Sequence, residues 1–306
     1  LVWLAEFSLA DKQMRRLHFT NTQVLVLVVL ALLFSGCRKQ SGIVETKKPS
    51  GNINGTGRLA ENRATPSTGG AASADHGDFK LEYEPRKTPK KSDEAHRVGE
   101  NEQAIAGIIA DLNKKVALPF DIYLSISSCD QPDAYYDPEM RTVVVCHQLI
   151  DEYYDLFARK VKDKAKLDEA VKGATAATFF HELGHALVDA WKLPITGKEE
   201  DAVDQLSTLV LINRTDAGEQ MAIAGAVSFR LYADLSKGEK KIYWDEHSLD
   251  DQRFYDTVCM IYGHNPQRYE YLIKEGVLPE ERAVNCQADY ERIERSWRTL
   301  LAPYLK

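Results

Sequence analysis

The residue pattern predicts an α+β fold: a small mixed sheet with helices, followed by a mostly helical part. Three observations predict it. Segments 79–84 and 120–129 alternate apolar and polar side chains, as half-buried strands do. A more continuous apolar run at 141–150 reads as a buried strand entering a helix. Beyond residue 166 the apolar residues recur at helical rather than strand spacing, almost to the end of the chain.

Taken in order, Phe79-Lys80-Leu81-Glu82-Tyr83-Glu84 alternates as a strand should. A helix is expected over about 102–116, with Ile105, Ile108, Ile109 and Leu112 on one stripe. Residues 120–129 place Ile122, Leu124 and Ile126 against Tyr123, Ser125 and Ser127, a second strand. Pro132, Asp133 and Asp137-Pro138 mark 131–140 as a turn or loop. The strand at 141–150 then runs into a helix over 151–157. Further helices are expected over 167–191, 198–213, 217–235, from near 251, and over 280–301. A loop at 194–197 and a polar connection at 238–254 interrupt them.

The 306 residues carry 39 Lys and Arg against 46 Asp and Glu, a net charge of −7. A protein that grips a nucleic-acid backbone needs a basic surface, so no nucleic acid is expected as partner. The acid excess is local: 22 acidic and 15 basic residues lie from 181 onward, and 24 of each lie before. No glycine-rich dinucleotide or Walker-type loop is present.

The first segment reads as an export signal. Arg15 and Arg16 precede an apolar run over 24–34 and then Ser35, Gly36 and Cys37. The run is shorter than the roughly 20 residues of a spanning helix. Met14, just before the arginines, is the expected true start. Leu33-Phe34-Ser35-Gly36-Cys37 resembles a bacterial lipobox, which implies a lipid on Cys37, a membrane anchor and an envelope location facing the periplasm or cell surface. Residues 38–77, rich in Gly, Ser, Thr, Ala and Asn, read as a disordered tether, and 78–306 as the folded domain. With Cys37 lipidated, Cys129, Cys146, Cys259 and Cys286 remain. An exported protein can pair them. Three pairings are possible, with Cys129–Cys146, brought together by a hairpin, and Cys259–Cys286 favoured over four free thiols.

The chemistry is concentrated in His181-Glu182-Leu183-Gly184-His185. One helical turn separates the histidines, so both imidazoles leave the same helix face toward one ion. Glu182 can serve as base toward a metal-activated water. A hydrolytic zinc needs a third protein ligand and an open position. Glu200, with fourteen residues between it and His185, lies where a returning helix would bring it. Asp204, one turn on, is expected on the free nitrogen of a ligand histidine. Glu199 competes with Glu200 as ligand, and Asp189 competes with Asp204. Zinc is the expected cofactor. A non-haem iron site also uses two histidines and a carboxylate, but has no need of Glu182. For the oxyanion of the transition state, His247 is the first candidate and Arg253 the second. Tyr135 and Tyr136 are candidates for lining a cleft in which a peptide pairs with a free sheet edge. His147 reads as structural, His18 belongs to the removed segment, and His264 receives no role.

The segments "HELGHALVD" and "GKEEDAVDQLS" resemble a bacterial metallopeptidase-like family classed as a domain of unknown function. The resemblance extends through "CDQPDAYYDPEMRTVVVC", "WDEHSLDDQRFYDTVCMIYG", "LPEERAVNC" and "SWRTLLAPYL", over roughly 78–306. It marks the four later cysteines as part of that pattern. More broadly, His181, Glu182, His185, Glu200 and Asp204 resemble the glutamate-ligand zincins. That likeness implies zinc-dependent hydrolysis of a peptide or protein substrate, with the third ligand on a later helix and an acid beside the first histidine. It implies neither a cleavage preference nor an oligomeric state. The alternatives are a non-catalytic envelope protein with a structural zinc, marked by a fourth protein ligand, and a zinc amidase acting on cell-wall material.

Overall fold

A computed structural model describes residues 75–84, 109–213 and 215–306. The export signal, Cys37, all but the last residues of the tether and the start of the helix expected from 102 lie outside the described residues.

The fold is α+β. Four strands, β1 (Phe79–Tyr83), β2 (Ile122–Ser127), β3 (Ala134–Asp137) and β4 (Thr142–Cys146), form one sheet in the order β1-β2-β4-β3. β1 pairs with β2 and β2 with β4 in parallel, whereas β3 lies antiparallel to β4 on the outer edge. Helical residues 109–115 precede β2 and bury Ile109 and Leu112.

Two expectations are corrected here. The middle of 131–140 is the strand β3, not a loop. Ala134, Tyr135 and Tyr136 pair with Val145, Val144 and Val143, and tyrosines suit a pleated, half-buried edge. Only the Asp137-Pro138 signal is a turn: Asp137 Oδ1 accepts from the backbone N–H of Glu139 and Met140, and Arg141 takes φ 52°. The second correction concerns the hairpin. It joins β3 to β4, and the Cys129–Cys146 bridge instead spans parallel neighbours. Ser127 sits opposite Cys146 in the register, so Cys129, two residues on, arrives at the same strand end.

The helices follow as α1 (His147–Phe157), α2 (Lys164–Trp191), α3 (Glu199–Ile212), α4 (Asp216–Leu235), α5 (Asp250–His264), α6 (Tyr271–Lys274) and α7 (Glu280–Leu301). The short α6 has no counterpart in the sequence expectation. α1 starts directly after β4, four residues before its expected beginning. α2 starts at 164 because Asp163 caps it, accepting from the Lys166 N–H. It ends where Lys192 turns left-handed, at φ 50°. Thr215 caps α4 in the same way as Asp163 caps α2.

α2 lies against β3 and β4 and is buried over much of its length. The main apolar core joins the sheet to α2, α3, α5 and α7 through residues such as Leu118, Ile122, Val143, Leu209 and Ile261. A smaller cluster around Tyr153, Phe157, Val171 and Leu231 fills the space between α1, α2 and α4. The chain end returns to the sheet side: Trp191 stacks on Tyr304 at 4.4 Å, and the Ala117 N–H donates to the Tyr304 carbonyl. Cys259 and Cys286 join α5 to α7. Among the described residues no helix is long and apolar enough to cross a membrane.

Candidate metal centre

α2 and α3 run antiparallel, because their contacts pair rising with falling numbers. Ser207 Oγ donates to the Ala177 carbonyl, Asp204 meets His181, and Glu199 and Glu200 meet His185. The helices approach closely at Gly184. A Cβ built there would lie 2.9 Å from Val203 Cβ, tighter than side chains tolerate. A glycine inside a helix costs roughly 1 kcal/mol of propensity relative to alanine, and the close approach gives it a purpose.

This approach brings four side chains to one point. Glu200 Oε2 lies 3.1 Å from His181 Nε2 and 2.9 Å from His247 Nε2. Glu200 Oε1 lies 3.4 Å from His185 Nε2, which is itself 3.3 Å from His181 Nε2. The ligand atoms of His181, Glu200 and His247 all fall within 4.8 Å of one another. The sequence expectation of two imidazoles and Glu200 is therefore brought together in space, and His247 joins them from the loop before α5.

The outer nitrogens of the α2 histidines are also engaged. His181 Nδ1 donates to Asp204 Oδ1 at 2.7 Å, and His185 Nδ1 donates to Glu199 Oε1 at 2.8 Å. Each bond fixes its ring with Nε2 facing inward. Glu199, weighed in the sequence only as a rival ligand, thus stands behind His185. The signal for it was its adjacency to Glu200. Asp189 lies elsewhere, accepting from Tyr136 Oη and Lys192 Nζ.

Arg253 reaches the centre through Asp204. Its Nε and Nη2 donate to Asp204 Oδ2 and Oδ1 at 2.7 and 2.9 Å, and its guanidinium lies 4.0 Å from the centre of the Phe229 ring. That fork-to-carboxylate pairing anchors Asp204, which in turn holds His181. His247 is held by its own loop: its N–H donates to Asp245 Oδ1, and Lys198 Nζ donates to the carbonyls of Asp245 and His247. Lys198 had no signal in the sequence, because its role depends on where a distant loop comes to rest.

The electrostatics follow from burial and pairing. Burial alone would raise Glu200, but hydrogen bonds from His181, His185 and His247 hold it well below the usual carboxylate range. Burial would likewise raise Asp204, and Arg253 with His181 pulls it down to about 2. Burial opposes charge on His181, yet Asp204 and Glu200 lift it to about 9. Glu182 differs from all of these. It is 8 % exposed, burial raises its pKa, and no donor among the described residues reaches its carboxylate. It opens onto a cavity of about 380 Å³ that His181, His247 and Arg253 also line.

The donor set fits a divalent metal. Imidazole nitrogens and one carboxylate converge, their outer atoms are hydrogen-bonded, and the carboxylates supply the charge that compensates a buried cation. Of the other histidines, His147 Nε2 faces the Glu84 carbonyl at 3.2 Å and His264 Nδ1 faces Tyr290 Oη at 3.1 Å. Neither joins the centre.

The model of one protein family, described as "Putative metallopeptidase", matches residues 83–301. No curated protein and no solved structure matches the chain.

Proposed function

The chain belongs to that metallopeptidase family, and on this premise we propose that it hydrolyses peptide bonds with a zinc ion held by His181, His185 and Glu200. The observation that carries the reading is Glu182: a buried carboxylate, unpaired among the described residues, beside the first ligand histidine and open to a cavity. A group so placed is expensive to bury and has a use if it works on water.

Zinc bound there supplies the acidity that brings a water near deprotonation at neutral pH. Glu182 accepts the proton from the attacking water and carries it to the departing amine. Its raised pKa suits a group that must both take and give a proton. Asp204 and Glu199 keep the two imidazoles in the orientation that presents Nε2 inward. His247 Nε2 donates to the carbonyl oxygen as negative charge builds on it. Arg253 acts by fixing Asp204. The edge strand β3 supports binding of an extended peptide by backbone pairing, with Tyr135 43 % exposed at its outer side.

One observation favours a second reading. His247 Nε2 stands 2.9 Å from the Glu200 carboxylate, near enough to serve as a fourth protein ligand and close a structural site. The two readings separate on paired variants. With a hydrolytic centre, Glu182→Gln retains zinc and loses about 10²- to 10⁴-fold in peptide turnover, and His247→Ala also retains zinc while turnover drops. With a closed structural site, His247→Ala loses zinc and Glu182→Gln changes nothing. Metal content by mass spectrometry, read with cleavage of a peptide library, decides between them.

A further inference from the structure

The cavity beside Glu182 has a charge that the metal centre does not use. It runs from His181 and Glu182 at the centre to Glu152 of α1, Tyr232 of α4 and Asp250 of α5. Its volume, about 380 Å³, falls in the range of sites that enclose a small ligand or a side chain. Gly225 and Ala177 pack α4 tightly on α2, where a Cβ on the glycine would lie 2.7 Å from that of the alanine, and Ala177, Ala222, Gly225 and Ala226 all line the cavity. Part of the cavity wall is therefore made of small residues, and charged side chains line the rest with others.

Those charges do not balance. Arg253 is the one Lys or Arg among the lining residues, and Asp204 occupies two of its nitrogens. Lys241, near Asp250, lies 3.7 Å from Asp251. Besides Glu182, three carboxylates remain: Asp133, which accepts from the backbone N–H of Ala134, and Glu152 and Asp250. Glu152 accepts a single hydrogen bond, from Tyr232 Oη at 2.7 Å, and a carboxylate has room for about three more. Asp250 is reached by no donor among the described residues. The Tyr232 phenol is pushed above its usual pKa by burial first and then by Glu152, with Asp250 adding to the effect. Glu152 and Asp250 therefore both act on the Tyr232 ring.

We propose that this cavity is the specificity pocket of the peptidase and that it takes a cationic side chain, lysine or arginine, from a residue flanking the scissile bond. The small-residue walls accommodate the methylene stem, and Glu152 with Asp250 receives the charged head. Stem along apolar surface and head on a carboxylate is how such side chains are ordinarily buried. An acidic substrate side chain would meet uncompensated like charge. The inference rests on the peptidase reading for the pocket's use, but the pocket's preference for a cation can be measured without catalysis.

The test uses the full zinc-loaded chain. Peptides varied at each position around the bond, with lysine, arginine, glutamine or norleucine, give the cleavage ratio of cation to norleucine. The wild type is expected to favour lysine or arginine at one position by about tenfold or more. Glu152→Gln, which keeps an acceptor for Tyr232, and Asp250→Asn should each reduce that ratio, and the pair should abolish it. A ratio near one in the wild type, or one that survives in both variants, overturns the proposal. In parallel, calorimetry with arginine amide and norleucine amide reads the pocket directly: the arginine compound should bind at least about tenfold tighter, and the double variant should remove the difference. If no peptide is cleaved but this difference appears, the peptidase reading fails and the cation pocket stands. Equal binding of the two amides refutes the pocket whatever the enzyme does.

Discussion

Two helix seams in this molecule solve the same problem by opposite means. The α2–α3 seam is antiparallel, closes at Gly184 and is joined by charge: His181 with Asp204 and Glu200, and His185 with Glu199. The α5–α7 seam is parallel, as the rising pairs Asp256 with Arg282, Cys259 with Cys286 and His264 with Tyr290 require. It also closes at a glycine, since a Cβ on Gly263 would lie 2.2 Å from the Cys286 carbonyl oxygen. It is joined by a disulfide and by buried Val258, Met260, Ile261 and Ala283. Burying apolar surface stabilises a fold unconditionally. Burying imidazoles and carboxylates carries a desolvation cost that only good pairing, or a bound cation, offsets. The first seam is thus built to bind and the second to hold.

The sharpest way to break this contrast is Glu200→Ala. Losing a ligand should weaken zinc binding by more than the roughly 10- to 100-fold that losing an orienting partner costs. The metal-free chain should also lose thermal stability, because the variant removes the pairing that depresses Glu200 and helps raise His181. Glu199→Ala should stay within that 10- to 100-fold range. Equal zinc retention by the two variants, titrated against a chelator of known affinity, would contradict the assignment of Glu200.

Next comes the holding seam. Replacing Cys259 and Cys286 together by serine should destabilise the fold by roughly 2–4 kcal/mol in denaturant unfolding, with zinc affinity unaltered. A variant that folds normally but binds zinc poorly would show that the seams are not separate in function.

The smallest effect is a count of protons. His181 is lifted to about 9 by Asp204 and Glu200 against burial, so in the metal-free chain it is charged at pH 7.5. A metal ligand must be neutral on Nε2, so zinc uptake should release about one proton from this group. Below its ordinary pKa the imidazole is protonated whether folded or not. Its contribution to metal-free stability is complete there and disappears as pH rises through about 9. Zinc titrations in two buffers of different ionisation enthalpy give the count, and identical heats would exclude proton release.

What was legible in the sequence follows the range of the interactions. The His181–His185 pair and Glu182 needed only the helical repeat, and Glu200 with Asp204 needed one return helix. Both are local arguments. β3 was hidden because Pro132 and Asp137-Pro138 flank a strand only four residues long. The parallel pairing of β2 with β4 was hidden because strand order is decided by what packs on the sheet and not by the strands. The arrival of His247 on Glu200, and of Lys198 beneath it, depends on where the connection between α4 and α5 rests. Spacing contains no trace of that.

Gly184 has a consequence for the spacing of the groups that converge beside it. Val203 leans into the space a methyl group would take, one residue before His185 and one before Asp204. The distance between the two helix axes is therefore set beside the convergent imidazoles and carboxylates. A wedge of a single carbon there would push the two helices, and with them the donors, apart. In this chain the reach between the donors depends as much on an empty position as on the groups themselves.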